Sequence, residues 1–296
     1  MLLLIEGILV PHITPFDDEE DIDGDALREI VDYFIERGVH GLVTLGSNGE
    51  FPYLNREEKE KVLRIVVDQV NGRVPVIGGT ACPSTRETMS LTREAWDIGV
   101  DAVIIAPPYY FKPSPRELYY HYASIIESTD VPLIIYNVPK FTDYNMPIDV
   151  IERLTDEYSQ IIGIKDSSGL ISRISELIRL LGDKISILAG TGDLIYPSLV
   201  LGAHGAVVAI ANVAPRLCVE LYNAFREMKY ERARKIQIKL NHLNEVLIRK
   251  HNQLSAIKEA MNILGLNVGF PRRPMLPLSE EGLRDVEIVL EDVGLI

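Results

Sequence analysis

Cysteine is scarce in this chain of 296 residues, where Cys82 and Cys218 are the only two. Two thiols make no disulfide framework, so a cross-linked secreted scaffold is excluded and a reducing compartment, the cytoplasm, is expected. Basic residues are also in short supply, 30 Lys and Arg against 43 Asp and Glu, for a formal charge of −13. Such an acidic chain has no global electrostatic support for nucleic-acid binding. Its basic clusters, Arg272 with Arg273 and Arg249 with Lys250, are too short for a phosphate-binding stripe and read as solvated surface. No apolar run reaches the ~18 residues of a membrane span. The opening MLLLIEGILV contains Glu6 and no basic region, so it reads as a first strand rather than a signal peptide. His12, His40, His121, His204, His242 and His251 show neither close metal-ligand pairing nor an HExxH pattern, so no metal site is expected among them.

What is present is the balance of a globular protein, 47% hydrophobic and 25% charged, at a length that allows one large α/β domain or two smaller ones. Short runs rich in Val and Ile alternate with amphipathic segments. The runs at 7–14, 41–45, 74–78, 102–106, 133–137, 161–165, 185–189 and 206–209 predict eight strands. Helices are predicted over segments such as 25–37, 56–70, 85–98, 115–128 and 171–181, with Gly38, Gly99 and Gly182 placed to end three of them. Strands apolar throughout suit a parallel sheet covered on both faces. Eight units of roughly 30 residues match a (β/α)8 TIM barrel of about 250 residues. A dinucleotide-binding open sheet would want G-x-G-x-x-G after its first strand, and VPHITPFDD has no glycine at all. Past Asn212 the strand signals stop. The expected organisation is therefore a barrel core over 1–212, followed by the last barrel helix and a C-terminal helical extension of the same domain over 213–296.

Chemistry in such a barrel belongs at the carboxyl ends of the strands. Those ends read GSNGE (46–50), PPYY (107–110), YNVP (136–139), KDSSG (165–169) and AGTGD (189–193). Lys165 is the most informative residue, because it follows Ile161, Ile162, Gly163 and Ile164 where a charged side chain is out of place. If period two turns it toward the barrel interior with Ile161 and Gly163, lost hydration disfavours its ammonium form and leaves an amine able to attack a ketone. The alternative is a strand-end lysine that reaches solvent or pairs with Asp166. Tyr136, at the end of the neighbouring strand, is within side-chain reach by topology and is a candidate proton relay, though tyrosine is also a common core residue. GSNGE is a glycine-flanked turn whose backbone N–H groups suit a phosphate or a carboxylate, or it is a simple loop.

Taken in order, GSNGE, PPYYFKP, YNVP, GIKDSSG and AGTGD resemble the dihydrodipicolinate synthase and N-acetylneuraminate lyase superfamily of class I, Schiff-base aldolases. The resemblance runs from VPHITPF to GFPRRPMLPL. It implies that Lys165 forms an iminium with pyruvate or with a 2-oxo acid that releases pyruvate, with Tyr136 as the acid and base beside it. Ser47 matches a hydroxyl in the proton relay, and Tyr110 matches a tyrosine inserted by a neighbouring subunit, which implies a homotetramer built from two tight dimers. Ser47 and Asn48 would hold the 2-oxo acid carboxylate through their backbone N–H groups, and Gly190 and Val207 match pocket-lining positions. The implied chemistry needs no metal or other cofactor. Synthases of the family normally place an arginine two residues after YNVP to hold the carboxylate of the aldehyde partner; this chain has Lys140 and then Phe141. With GSNGEFPYL, that departure favours an aldolase cleaving a 4-hydroxy-2-oxo or 2-keto-3-deoxy acid. Dihydrodipicolinate synthase, which condenses pyruvate with aspartate semialdehyde, is the enzyme alternative, and a non-catalytic 2-oxo acid sensor is the alternative of another class.

Overall fold

The structure, a computed structural model, describes residues 5–296, so the first four residues of the N-terminal run lie outside the described residues. The strands are β1 (Gly7–Pro11), β2 (Gly41–Thr44), β3 (Val76–Gly79), β4 (Ala102–Ile105), β5 (Leu133–Asn137), β6 (Ile161–Asp166), β7 (Ser186–Ala189) and β8 (Gly205–Val207). They follow one another around a closed barrel in chain order, the (β/α)8 arrangement that the alternating pattern predicts. Every residue of every strand is buried, as expected where helices cover a parallel sheet and its interior is filled with side chains.

The chain divides into two compact units. In one, Ile77–Val207 with the described residues up to Gly7, β4 to β8 pair in parallel and the helices Thr85–Ile98, Pro115–Thr129, Ile148–Glu157, Ile171–Leu181 and Ile195–Leu201 alternate with them. Local chemistry sets these helices. Ser114 accepts from the Glu117 amide while the Glu117 carboxylate takes the Ser114 N–H, and Pro115 occupies the first turn, where no N–H is needed. Gly99 ends Thr85–Ile98 in the left-handed region at φ 110°.

The other unit, Ile8–Val76 with Val208–Ile296, holds the β1–β2 pair, the helices Gly24–Glu36 and Arg56–Val70, and the C-terminal helices Pro215–Arg226, Tyr230–Asn244, Gln253–Ile263 and Glu280–Val293. Asn55 and Glu58 form a second reciprocal cap. Gly38 has φ 76° just past the first helix, the geometry of a glycine stop. Gly182 departs from that expectation: it ends Ile171–Leu181 in the right-handed region at φ −60°. A side chain there would meet the Ile178 carbonyl at 2.6 Å, so close approach, not backbone handedness, demands glycine.

Two strands end two or more residues before their predicted ends, while the other six end within one residue of theirs. β1 stops at Pro11: the His12 amide still closes the ladder onto the Val43 carbonyl, but the Ile13 amide turns away to the Asn212 side chain. β8 stops at Val207, and Ala209–Asn212 turns into a short 3-10 helix that delivers Asn212 to that contact.

His12 is wholly buried, with Nδ1 against the Ile13 carbonyl at 2.8 Å, and burial pushes its pKa down to about 4. His121 is lowered to about 4 by the same cause. An unfolded chain takes up these protons near pH 6.5, whereas the folded chain refuses them until about pH 4, so stability is full above pH 6.5 and is lost as pH falls. The shift corresponds to on the order of 3 kcal/mol for each histidine. We expect denaturant titrations between pH 7 and about 4 to show that loss, and His12→Asn to flatten it; an unchanged slope in the variant would contradict the assignment.

Candidate active site

In the first unit, the strand ends bring Lys165 and Tyr136 together. The two residues stand opposite each other in the β5–β6 register, with Leu188 of β7 on the other side of Lys165. Lys165 is 5% exposed and Tyr136 8%. The Lys165 Nζ lies 4.1 Å from the centre of the Tyr136 ring, over its electron-rich face. The pairing with Asp166 that the sequence leaves open is taken by another cation: Arg173 Nε donates to Asp166 Oδ2 at 2.8 Å.

Gly190 packs where nothing larger fits, since a Cβ would fall 2.7 Å from the Asp166 carbonyl, to which its amide donates at 2.8 Å. Val207 is buried at the end of β8. Tyr110 is not gathered with these residues. Its ring is 91% exposed and stacks edge-on against Phe111 at 5.0 Å, and its backbone holds φ 79°, a region rare for a bulky residue. Lys140 and Phe141 follow YNVP on the short helix Pro139–Thr142, and both are exposed. Partial desolvation lowers the Lys140 amine from its ordinary value, with nearby Tyr136 acting in the opposite sense.

In the second unit, GSNGE is a clamped turn. The Glu50 amide donates to the Ser47 carbonyl at 3.2 Å, and Leu45 and Glu50 hold left-handed φ of 56° and 57°. Asn48 is buried: its amide group donates to the Pro11 carbonyl and its oxygen accepts from Gln253. Thr14 donates its hydroxyl to the Gly49 carbonyl at 2.8 Å. Ser47 is half-buried, and the N–H groups of Ser47 and Asn48 donate to no backbone acceptor among the described residues, which leaves two donors for an anion.

A buried ion pair backs the turn. Lys258 Nζ stands 2.8 Å from Glu50 Oε1, with both side chains at 0% exposure, and it donates to the Phe270 carbonyl at 2.9 Å. Burial pushes the lysine down to about 8 and the carboxyl up, each against the attraction of the other. Arg272 gives its amide to Glu50 and its guanidinium to Glu58, and Lys258 and Arg272 both lie within 4.5 Å of the Phe16 ring centre. This corrects the reading of Arg272 as solvated: its side chain is 13% exposed, while that of Arg273 is 75% exposed. Arg249 and Lys250 are surface residues as read.

The description "Dihydrodipicolinate synthetase family" belongs to a sequence model that matches residues 4–293. A 4-hydroxy-tetrahydrodipicolinate synthase of Methanothrix thermoacetophila is 40% identical over 294 residues, 98% of this chain and 98% of its own. Its namesake from Methanocaldococcus jannaschii is 39% identical over 293 residues, 99% of this chain and 100% of its own. Among solved structures, the chloride-inhibited dihydrodipicolinate synthase from Acinetobacter baumannii, complexed with pyruvate, has a TM-score of 0.95 at 33% identity, covering 99% of this chain and 100% of that one.

The Glu50–Lys258 pair generates a stability prediction. Lys258→Met strands a buried carboxylate and is expected to cost about 3–5 kcal/mol in denaturant unfolding. A loss below about 1 kcal/mol, the size typical of exposed pairs, would mean that the pair is not buried as described.

Proposed function

This chain belongs to the dihydrodipicolinate synthetase family of class I Schiff-base lyases, and from that premise we propose that it condenses pyruvate with aspartate semialdehyde, the reaction of a 4-hydroxy-tetrahydrodipicolinate synthase. The observation that carries the reading is the buried Lys165 amine over the Tyr136 ring, in a chain whose full-length relatives at 40% and 39% identity bear the synthase name. Those names support condensation over the retro-aldol cleavage expected from GSNGEFPYL.

In the proposed reaction the Lys165 amine attacks the keto carbon of pyruvate, and the carbinolamine loses water to a protonated imine. That imine acidifies the adjacent methyl group. Loss of a methyl proton gives an enamine, whose carbon attacks the aldehyde; the new alkoxide takes up a proton, and the amine of the semialdehyde part then attacks the imine carbon, closing the ring and releasing the lysine. Tyr136 carries protons to and from the carbinolamine and the new hydroxyl, with Ser47 next in the relay. The free N–H groups of Ser47 and Asn48 are assigned the pyruvate carboxylate, and Gly190 and Val207 the pocket wall near the lysine. Tyr110, held outward with its ring exposed, is assigned to the relay of a second copy, within a homotetramer of two dimers. No step calls on a metal or cofactor. A cytoplasmic location belongs to the same proposal, in keeping with two buried cysteines that are not joined in a disulfide.

Lys140 and Phe141 favour a second reading. They stand where synthases normally carry the arginine that anchors the aldehyde's carboxylate, and a phenyl ring offers that carboxylate no hydrogen bond. Under this reading the same imine chemistry runs as retro-aldol cleavage of a 4-hydroxy-2-oxo or 2-keto-3-deoxy acid to pyruvate and an aldehyde.

A substrate panel separates the two. Condensation of pyruvate with aspartate semialdehyde is expected to exceed pyruvate release from 4-hydroxy-2-oxoglutarate and from 2-keto-3-deoxy sugar acids, with every activity lost in Lys165→Ala. Faster pyruvate release from a hydroxy-oxo acid would reverse the assignment in favour of the aldolase.

A further inference from the structure

Tyr136 stands beside Lys165 only because β5 and β6 slip by one residue. The pairing begins with Leu133 opposite Ile161 and continues with Ile134 opposite Gly163, so Ile162 has no counterpart on β5. Counting on from Leu133 without that bulge would set Tyr136 against Ile164 and leave Lys165 against Asn137. Residues opposite each other in a parallel pair project to the same side, and a one-residue shift sends a side chain to the other face. The bulge therefore decides whether the amine and the phenol share a face. It also interrupts the strict alternation from Ile161 to Lys165 that the sequence pattern assumes. Gly163, next along the strand, lies close against β7 on the other side, where a Cβ would meet the Ser186 carbonyl at 3.0 Å.

The shifted register is fastened one residue further on. Asn137 stands opposite Asp166 and donates its side-chain amide to Asp166 Oδ2 at 2.8 Å, where Arg173 Nε also donates at 2.8 Å. Asp166 Oδ1 accepts from the amide of Ser168 at 3.0 Å and from its hydroxyl. Arg173 extends a second nitrogen to the Met146 carbonyl at 2.6 Å, and the Met146 amide returns to Asn137 Oδ1 at 2.9 Å. The carboxylate at the centre is 0% exposed. Sliding β5 back by one residue would pull Asn137 away from it and leave a buried acceptor short of a donor, a costly state inside a protein.

We propose that Asp166, Arg173 and Asn137 form a positioning clasp that locks the bulged β5–β6 register and so keeps the Lys165 amine beside the Tyr136 ring. The clasp touches no reacting atom. It rests on the reading that Lys165 forms the imine, and it adds to that reading the residues that hold the nucleophile in place. Arg173 reaches it from the first turn of Ile171–Leu181, so the helix that follows the lysine strand serves as its anchor.

The test uses the full chain, with pyruvate as the probe and borohydride quenching at timed intervals. Arg173→Met removes the guanidinium and keeps an unbranched side chain. It is expected to slow imine trapping at saturating pyruvate by about 10–100-fold, as displacement of a reacting group does. Half-saturation by pyruvate should stay near the parent value, because the proposed carboxylate donors, Ser47 and Asn48, are untouched. Arg173→Lys should recover part of the rate. Val286→Ala, a core truncation in Glu280–Val293, supplies a variant of lowered thermal midpoint that should trap at the parent rate. Parent-like trapping in Arg173→Met would overturn the proposal, as would an equal slowing in Val286→Ala. Should Arg173→Met not fold, Arg173→Lys carries the test: slowed trapping at unchanged half-saturation supports the clasp, and a parent rate overturns it. A parent chain that forms no adduct would overturn the imine reading and the clasp together, whereas a parent that traps beside a parent-like Arg173→Met defeats the clasp alone.

Discussion

An amine withdrawn from water is costly unless something takes the place of its hydration, and Lys165 meets that constraint with the face of an aromatic ring. The carboxylate next to it in the chain is unavailable, because Asp166 is held by Arg173, Asn137 and Ser168. The lysine is thereby kept out of an ion pair that would occupy its nitrogen. The surrounding strands are buried along their whole length, so the amine stands in a dry frame with a phenol as its polar neighbour.

Comparison with Lys258 shows what the choice of partner decides. Both lysines are buried, but Lys258 faces Glu50 at 2.8 Å and the Phe270 carbonyl at 2.9 Å, which engages its protons in structure. It fastens Gln253–Ile263 to the GSNGE turn, where Gln253 of the same helix also grips Asn48. The helical extension thus acts as a brace for a turn with two open N–H donors. In the proposed reaction one buried lysine is left for chemistry while the other is engaged in architecture, and the difference lies in what each amine touches.

Much of this arrangement is legible in the sequence. Apolar runs bounded by turns mark the eight strands, and one lysine at the end of such a run marks the nucleophile candidate, because short-range patterning carries both signals. Tyr136 follows from the rule that adjacent strands in a parallel barrel bring their carboxyl ends together. The Ile162 bulge is not legible, since an unpaired residue in an apolar strand looks like its neighbours. The Asp166–Arg173 bond spans a strand end and a helix turn and leaves no periodic trace. Arg272 is misread for a related reason: its partners, Glu58 and the Glu20 carbonyl, lie far away along the chain, and beside Arg273 it looks like surface charge. Gly182 shows the limit of residue-type rules, because glycine ends a helix there through close packing and not through a left-handed turn.

The account depends on which amine becomes covalently bound. Lys140 lies near the same tyrosine with its own amine partly desolvated, and Lys258 is lowered to about 8, so both are rivals to Lys165. Peptide mapping by mass spectrometry after reduction with borohydride in the presence of pyruvate decides among them. The account predicts a pyruvate-derived adduct on the peptide bearing Lys165 and none on those bearing Lys140 or Lys258; an adduct on either of the others, or none at all, would contradict it.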